Sequence, residues 1–126
     1  MSLLDRQREW YGYWITGFPE YDLPPLPPIS AIAAVGNCTQ ENMCNPVTVG
    51  RLDHGSQGGM QWRERRLGPV SVQGILQGWA DANGQPWNTI RTQAAFFLWE
   101  LKHGSAAGQT FSGLYADLMA GKKPLA

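Results

Sequence analysis

The segment FPEYDLPPLPPIS constrains this chain most, because it packs five prolines into thirteen residues. A proline lacks the backbone donor and holds φ near −65°, so such a run forbids a sheet ladder or a helix interior and favours extended polyproline conformation. The chain is therefore divided early. Residues 1–28 form an N-terminal unit, a helix plus a proline-rich strap, and residues 29–126 carry everything else. A short ligand of the PxxP type is the alternative use of these prolines, but extended connectors are far commoner.

Ahead of the strap, Ser2 and Asp5 have the spacing of a helix start, and Gly17 is placed to end that helix. Trp10, Tyr11, Tyr13 and Trp14 put aromatic rings on more than one face. Such a helix either packs within its own domain or offers a face to a protein partner. The unit is expected to be an add-on, so that its deletion leaves a folded domain, with a penalty if Trp10 or Trp14 packs against the rest.

After the strap, ISAIAAVGNCTQ has Ala31, Ala34, Val35 and Cys38 at three- and four-residue steps and reads as a core-facing helix that Asn45-Pro46 stops. Glu41 then falls on the last turn. A carboxylate there is disfavoured by the helix dipole and by apolar neighbours, both of which raise its pKa. A carboxyl kept protonated near neutrality can act as a general acid. Cys38 and Cys44 bracket it, and they are the only cysteines. They close a small disulfide loop if the helix unwinds after Met43, or else remain two buried thiols. A disulfide suits an oxidising periplasm or the cell exterior.

The residues 47–62 supply two short strands, with Val47 and Val49 on one and Met60 to Trp62 on the other, turning at His54-Gly55. Arg63 to Arg66 form a charged connection. Pro69 opens a helix with Ile75, Leu76 and Trp79 as its apolar stripe and Gly84 as its end. Asn88 caps the next, in which Ile90, Ala94, Phe97, Leu98 and Leu101 share a face, and Gly104 closes it. A final short helix buries Phe111, Leu114, Tyr115 and Leu118. The fold class is mainly α: several short helices around the helix that bears Glu41, with one small β-hairpin.

The 126 residues, 43% of them hydrophobic and six of them Trp, suffice for one core rather than two. Ten basic and ten acidic residues cancel, which argues against an electrostatic grip on nucleic acid or on an anionic membrane. No apolar run is long enough to insert in a bilayer, and MSLLDRQREW lacks the basic flank and apolar core of a secretory signal, so export is expected to use another route. No cofactor is implied. Two His and two Cys give no pair at metal-ligand spacing, so a metal site is not expected. A Cys-His amidase built from Cys38 or Cys44 with His54 or His103 is disfavoured, because His103 closes a helix.

Glu41-Asn42-Met43-Cys44-Asn45-Pro46 and Ser56-Gln57-Gly58-Gly59-Met60-Gln61-Trp62 resemble the ES-x-x-NP and GLMQ motifs of the lysozyme-like superfamily. Soluble lytic transglycosylases and phage tail lysozyme domains carry them, and the tail domains look closer. Gly36-Asn37 ahead of Glu41, then Thr92-Gln93, Phe96-Phe97 and Glu100-Leu101, are similar to their pattern, so the resemblance covers residues 29–103. Asn42 stands where Ser is usual, and Gly59 where Leu is.

The resemblance implies cleavage of peptidoglycan glycan strands, on a phage tail or a tail-derived secretion device acting in the periplasm or at the cell wall. Glu41 would deliver the proton. Asp53 either reaches the cleft as a second carboxylate or caps its own turn. Without a second carboxylate, the route is a lytic transglycosylase that closes the sugar's own 6-hydroxyl into an anhydro product. Gln61 is expected to line the cleft. Trp62 is expected to stack on sugar; Trp87 and Tyr115 are candidates for the same role, although an aromatic at helical spacing is more often core. A non-catalytic tail or hub module that docks through its aromatic N-terminus is the competing class.

Overall fold

The structure, a computed structural model, describes residues 1–47, 74–104 and 110–122. Helix α1 is Leu3–Thr16 and begins with a reciprocal cap, in which the Ser2 hydroxyl accepts from the Asp5 N–H and the Asp5 carboxylate accepts from the Ser2 N–H. It ends at Gly17, whose φ of 75° belongs to the left-handed region. A side chain there would place its first carbon 2.7 Å from the Pro25 nitrogen and 2.8 Å from the Leu23 carbonyl oxygen. Only glycine fits this turn.

The proline segment folds back onto the end of α1. Phe18 and Leu23 pair as an isolated antiparallel bridge, around a 3-10 turn at Pro19–Tyr21, and the Leu26 N–H donates to the Trp14 carbonyl at 2.7 Å. Phe18, Leu23 and Leu26 are buried. The segment is thus a packed strap rather than an unpaired polyproline stretch. The prolines leave enough backbone donors, on Phe18, Leu23 and Leu26, to make these bonds. Pro28 then opens α2 (Pro28–Asn42) from its first position, where the missing donor costs nothing.

Helix α3 is Gly74–Ala82, and Gly84, at φ 66°, terminates it. Helix α4 is Ile90–His103 and its cap is Thr89, not Asn88: the Thr89 hydroxyl accepts from the Thr92 N–H at 3.2 Å. Gly104 ends it as expected. Helix α5 is Ser112–Met119; it buries Leu118 and half-buries Phe111 and Tyr115, whereas Leu114 is exposed because it points off the single stripe that meets the core.

The core is organised around α4, which packs against α1, α3 and α5, while α1 also packs on α2. Helix α4 buries Thr92, Gln93, Ala94, Ala95, Phe96, Leu98, Glu100 and Leu101, so it is enclosed on nearly every side rather than amphipathic. Trp10 and Trp14 are both fully buried. Their rings lie 5.1 Å apart, Trp14 meets Phe97 at 5.2 Å, and its indole donates to the Ala94 carbonyl at 3.1 Å. Trp79 of α3 touches Phe96 at 5.7 Å and Tyr21 of the strap at 5.1 Å. A buried Trp removes about 200 Å² from water, a gross stabilisation of about 5 kcal/mol, so α1 is a main contributor to the core.

The described residues are mainly helical, as the lysozyme-like fold class requires. Val47, expected on the first strand of a β-hairpin, lies in a turn, and the rest of that hairpin, with Asp53, Gln61 and Trp62, lies outside the described residues.

Candidate active site

Ala31, Ala34 and Cys38 of α2 are buried and Val35 is half-buried, so the stripe read from the sequence faces the core. Glu41 follows on the last turn of the helix and is exposed. The apolar enclosure expected for it is therefore absent: the end of α2 runs past the buried cluster, which reaches Cys38 and Cys44 but not the residues between them. Glu41 still stands at the C-terminal end of the helix, where the dipole is negative.

The helix ends at Asn42, three residues before Asn45, so the turn at Met43 and Cys44 stops it ahead of Asn45-Pro46. Met43 and Cys44 both have φ of 59°, and the Met43 N–H turns back to the Thr39 carbonyl at 3.0 Å and the Cys44 N–H to that of Cys38 at 2.9 Å. A disulfide joins Cys38 to Cys44, with Cα atoms 4.7 Å apart. Two successive non-glycine residues in the left-handed region cost about 1–2 kcal/mol each and persist only where the surroundings impose them. The disulfide is one such imposition. It also leaves neither sulfur as a thiolate, which removes the Cys-His amidase alternative.

Asn42, standing where Ser is usual, closes the same turn from the outside. Its amide donates to the Asn45 carbonyl at 2.9 Å, and its side-chain oxygen accepts the Asn45 N–H at 3.2 Å. The Asn45 side chain in turn accepts from the Val47 N–H at 3.0 Å. From α4, the buried Gln93 amide donates to the Pro46 carbonyl at 2.8 Å and to the Trp87 carbonyl at 2.9 Å. The Thr92-Gln93 pair, singled out by resemblance alone, thus acquires a physical role, since the Gln93 side chain ties the backbone after Glu41 to the loop before α4.

Helix α1 reaches the site as well. Arg6 Nε donates to the Met43 carbonyl at 3.0 Å, Gln7 to the Thr39 hydroxyl at 3.0 Å, and Trp10 Nε1 to the Cys44 carbonyl at 3.0 Å. Sequence reasoning did not find these three, since nothing local marks a donor for a carbonyl more than thirty residues away. Between α1 and α2 lies an open groove of about 240 Å³, lined by Gln7, Arg8, Tyr11, Ile32 and Val35. None of the residues lining it is a carboxylate.

Tyr115 is half-buried on α5, packed against the core. The neighbouring Leu118 meets Ser30 near the start of α2, where the Ser30 hydroxyl donates to the Leu118 carbonyl at 2.6 Å. Eleven residues of helix separate Ser30 from Glu41, about 16 Å along the axis. Trp87 is half-buried against the same cluster. Glu100 is 2% exposed, which places it in the core rather than in solvent. The His103 ring lies 4.8 Å from that of Trp99, tilted by 33°.

Among the described residues, no group of three His, Cys, Asp or Glu could hold a metal ion, and no helix is long and apolar enough to cross a membrane. No curated protein and no solved structure matched the chain. A family match exists, however, and it spans α2 to α5, including Glu41, the turn that follows it, and Gln93. The family is described as phage tail lysozyme, its match covers residues 26–122, and the chain belongs to it.

Proposed function

We propose that this protein cleaves peptidoglycan glycan strands at the β-1,4 bond between N-acetylmuramic acid and N-acetylglucosamine, with Glu41 as general acid, as a muramidase of a phage tail or tail-derived device. Membership of the phage tail lysozyme family supports a lysozyme-like, wall-directed role. The observation that carries the assignment to Glu41 is local. An exposed carboxylate closes α2 and is followed by two left-handed residues, a disulfide and a side-chain clamp from Asn42. That much constraint on one turn is expected where a side chain must be aimed.

Scission of a glycosidic bond needs a proton on the leaving oxygen and stabilisation of the oxocarbenium-like centre. Glu41 supplies the first from a position open to an extended polymer. For the second we assign Asp53 a supporting role, such as positioning water, with Gln61 and Trp62 contacting sugar; all three lie outside the described residues.

The test is clearing of purified cell walls by the whole chain and by Glu41→Gln, with muropeptides read by mass spectrometry. Wild-type clearing that disappears in Glu41→Gln without a change in Tm is the expected result. Failure of the wild type to cleave would favour a non-catalytic tail module. Release of 1,6-anhydro ends alone would replace hydrolysis by transglycosylation, and full activity of Asp53→Ala would remove Asp53 from the mechanism.

A further inference from the structure

Helix α1 lies ahead of the family-matched residues, which begin at residue 26, yet three of its side chains hold the segment that surrounds Glu41. Arg6, Gln7 and Trp10 share one side of the helix, at spacings of one, three and four residues. Their acceptors are the Met43 carbonyl, the Thr39 hydroxyl and the Cys44 carbonyl, so the contacts begin two residues before Glu41 and end three after it.

These bonds differ in strength of effect. Arg6 and its acceptor are at the surface, where water can replace the contact. Trp10 is fully buried and so is Cys44, so the indole N–H and the Cys44 carbonyl have no solvent alternative. The disulfide fixes the Cys44 side chain but not the direction of its carbonyl. The Trp10 bond fixes that direction, at a residue whose left-handed backbone needs outside support.

We infer that Trp10 is a positioning residue for Glu41: its indole N–H locks the Cys44 peptide, and through it the last turn of α2 that aims the carboxyl. The inference rests on the reading of Glu41 as the acid. It makes the N-terminal helix a working part of the site, beyond its share of the core.

Trp14 provides a matched control. It sits one turn further on the same helix, is equally buried, and donates the same kind of bond at 3.1 Å, but to Ala94 in α4. Trp10→Phe and Trp14→Phe each delete one N–H and keep an aromatic ring. On soluble uncrosslinked glycan chains, Trp10→Phe is expected to lower kcat on the order of tenfold with KM within about twofold, as a misaimed catalytic group does. Trp14→Phe should lower Tm to a similar extent and leave kcat near wild type.

If Trp10→Phe does not fold, 3-benzothienylalanine at position 10 keeps the bicyclic shape without the N–H and gives the same readout. Equal kcat losses in both Trp variants, or wild-type kcat at position 10 while Glu41→Gln is inactive, would overturn the positioning role alone. An active Glu41→Gln would overturn the acid assignment and this inference with it.

Discussion

The side-chain amide of Gln93, in the first turn of α4, donates at 2.8 Å to the carbonyl of Pro46, 47 residues earlier in the chain. With its second bond to Trp87, the same amide ties the exit of the Glu41 turn and the approach to α4 to one buried point. The central helix therefore sets where the stretch of chain after Glu41 leaves the site.

Replacing that amide by a hydrocarbon of similar size isolates this contribution. Gln93→Leu strands two carbonyls that the amide now satisfies, at about 1–3 kcal/mol each, so a loss of about 3 kcal/mol is expected in urea denaturation. A loss below about 1 kcal/mol would mean that the carbonyls find other donors and that Gln93 is not the bracket.

The Cys38–Cys44 bridge closes a loop with a sequence separation of six residues. By the chain-entropy estimate for so short a loop, its removal in the double variant Cys38→Ala, Cys44→Ala costs about 2 kcal/mol. A second effect is local: without the bridge, Met43 and Cys44 lose one restraint on their left-handed backbone, so amide exchange near the end of α2 should rise more than at α4. Uniform protection loss across the chain would contradict that localisation.

A chain begun at residue 26 keeps the whole family-matched region but loses α1 and most of the strap. The sequence suggested that such a piece would fold with a penalty. Trp10 and Trp14 are fully buried in the common core, and truncating a buried Trp costs about 3–5 kcal/mol, so losing both rivals the roughly 5–15 kcal/mol that holds a typical domain together. The truncated chain is expected to show no cooperative melt by circular dichroism. A sharp transition above about 40 °C would refute this.

Asp5 adds a pH dependence at the start of α1. The Ser2 hydroxyl and then the Ser2 backbone N–H hold its carboxyl below its ordinary value of 3.8. Because the folded value is the lower one, the unfolded chain takes up the proton first as acid is added. The stabilisation is complete above about pH 5 and is lost as the pH falls through 3.8 toward the folded value. Asp5→Asn should melt below wild type at neutral pH, with the gap closing as the pH falls below 3.8. A gap that is the same at both ends would exclude the carboxylate as its source.

Much of the fold was legible because helix ends are local chemistry. Ser2 with Asp5, Gly17, Gly84 and Gly104 mark boundaries that the structure keeps, each through a donor, acceptor or φ value fixed within a few residues. Asn88 misled because Thr89 offers the same kind of oxygen one position nearer the helix. Leu114 misled because a short helix presents only a narrow stripe to the core.

The sequence by itself determined the helices, the stop after Glu41 and the resemblance that pointed to a family. The turn chemistry and the period of apolar residues are written in consecutive positions, so they survive without knowledge of neighbours. Only the tertiary structure decided that α4 is enclosed, that Glu41 is exposed while the cysteines around it are buried, and that Trp10 and Gln93 grip the backbone beyond it. Burial and long-range hydrogen bonds depend on which surface arrives from elsewhere in the chain, and no local pattern encodes the direction of a carbonyl more than thirty residues away.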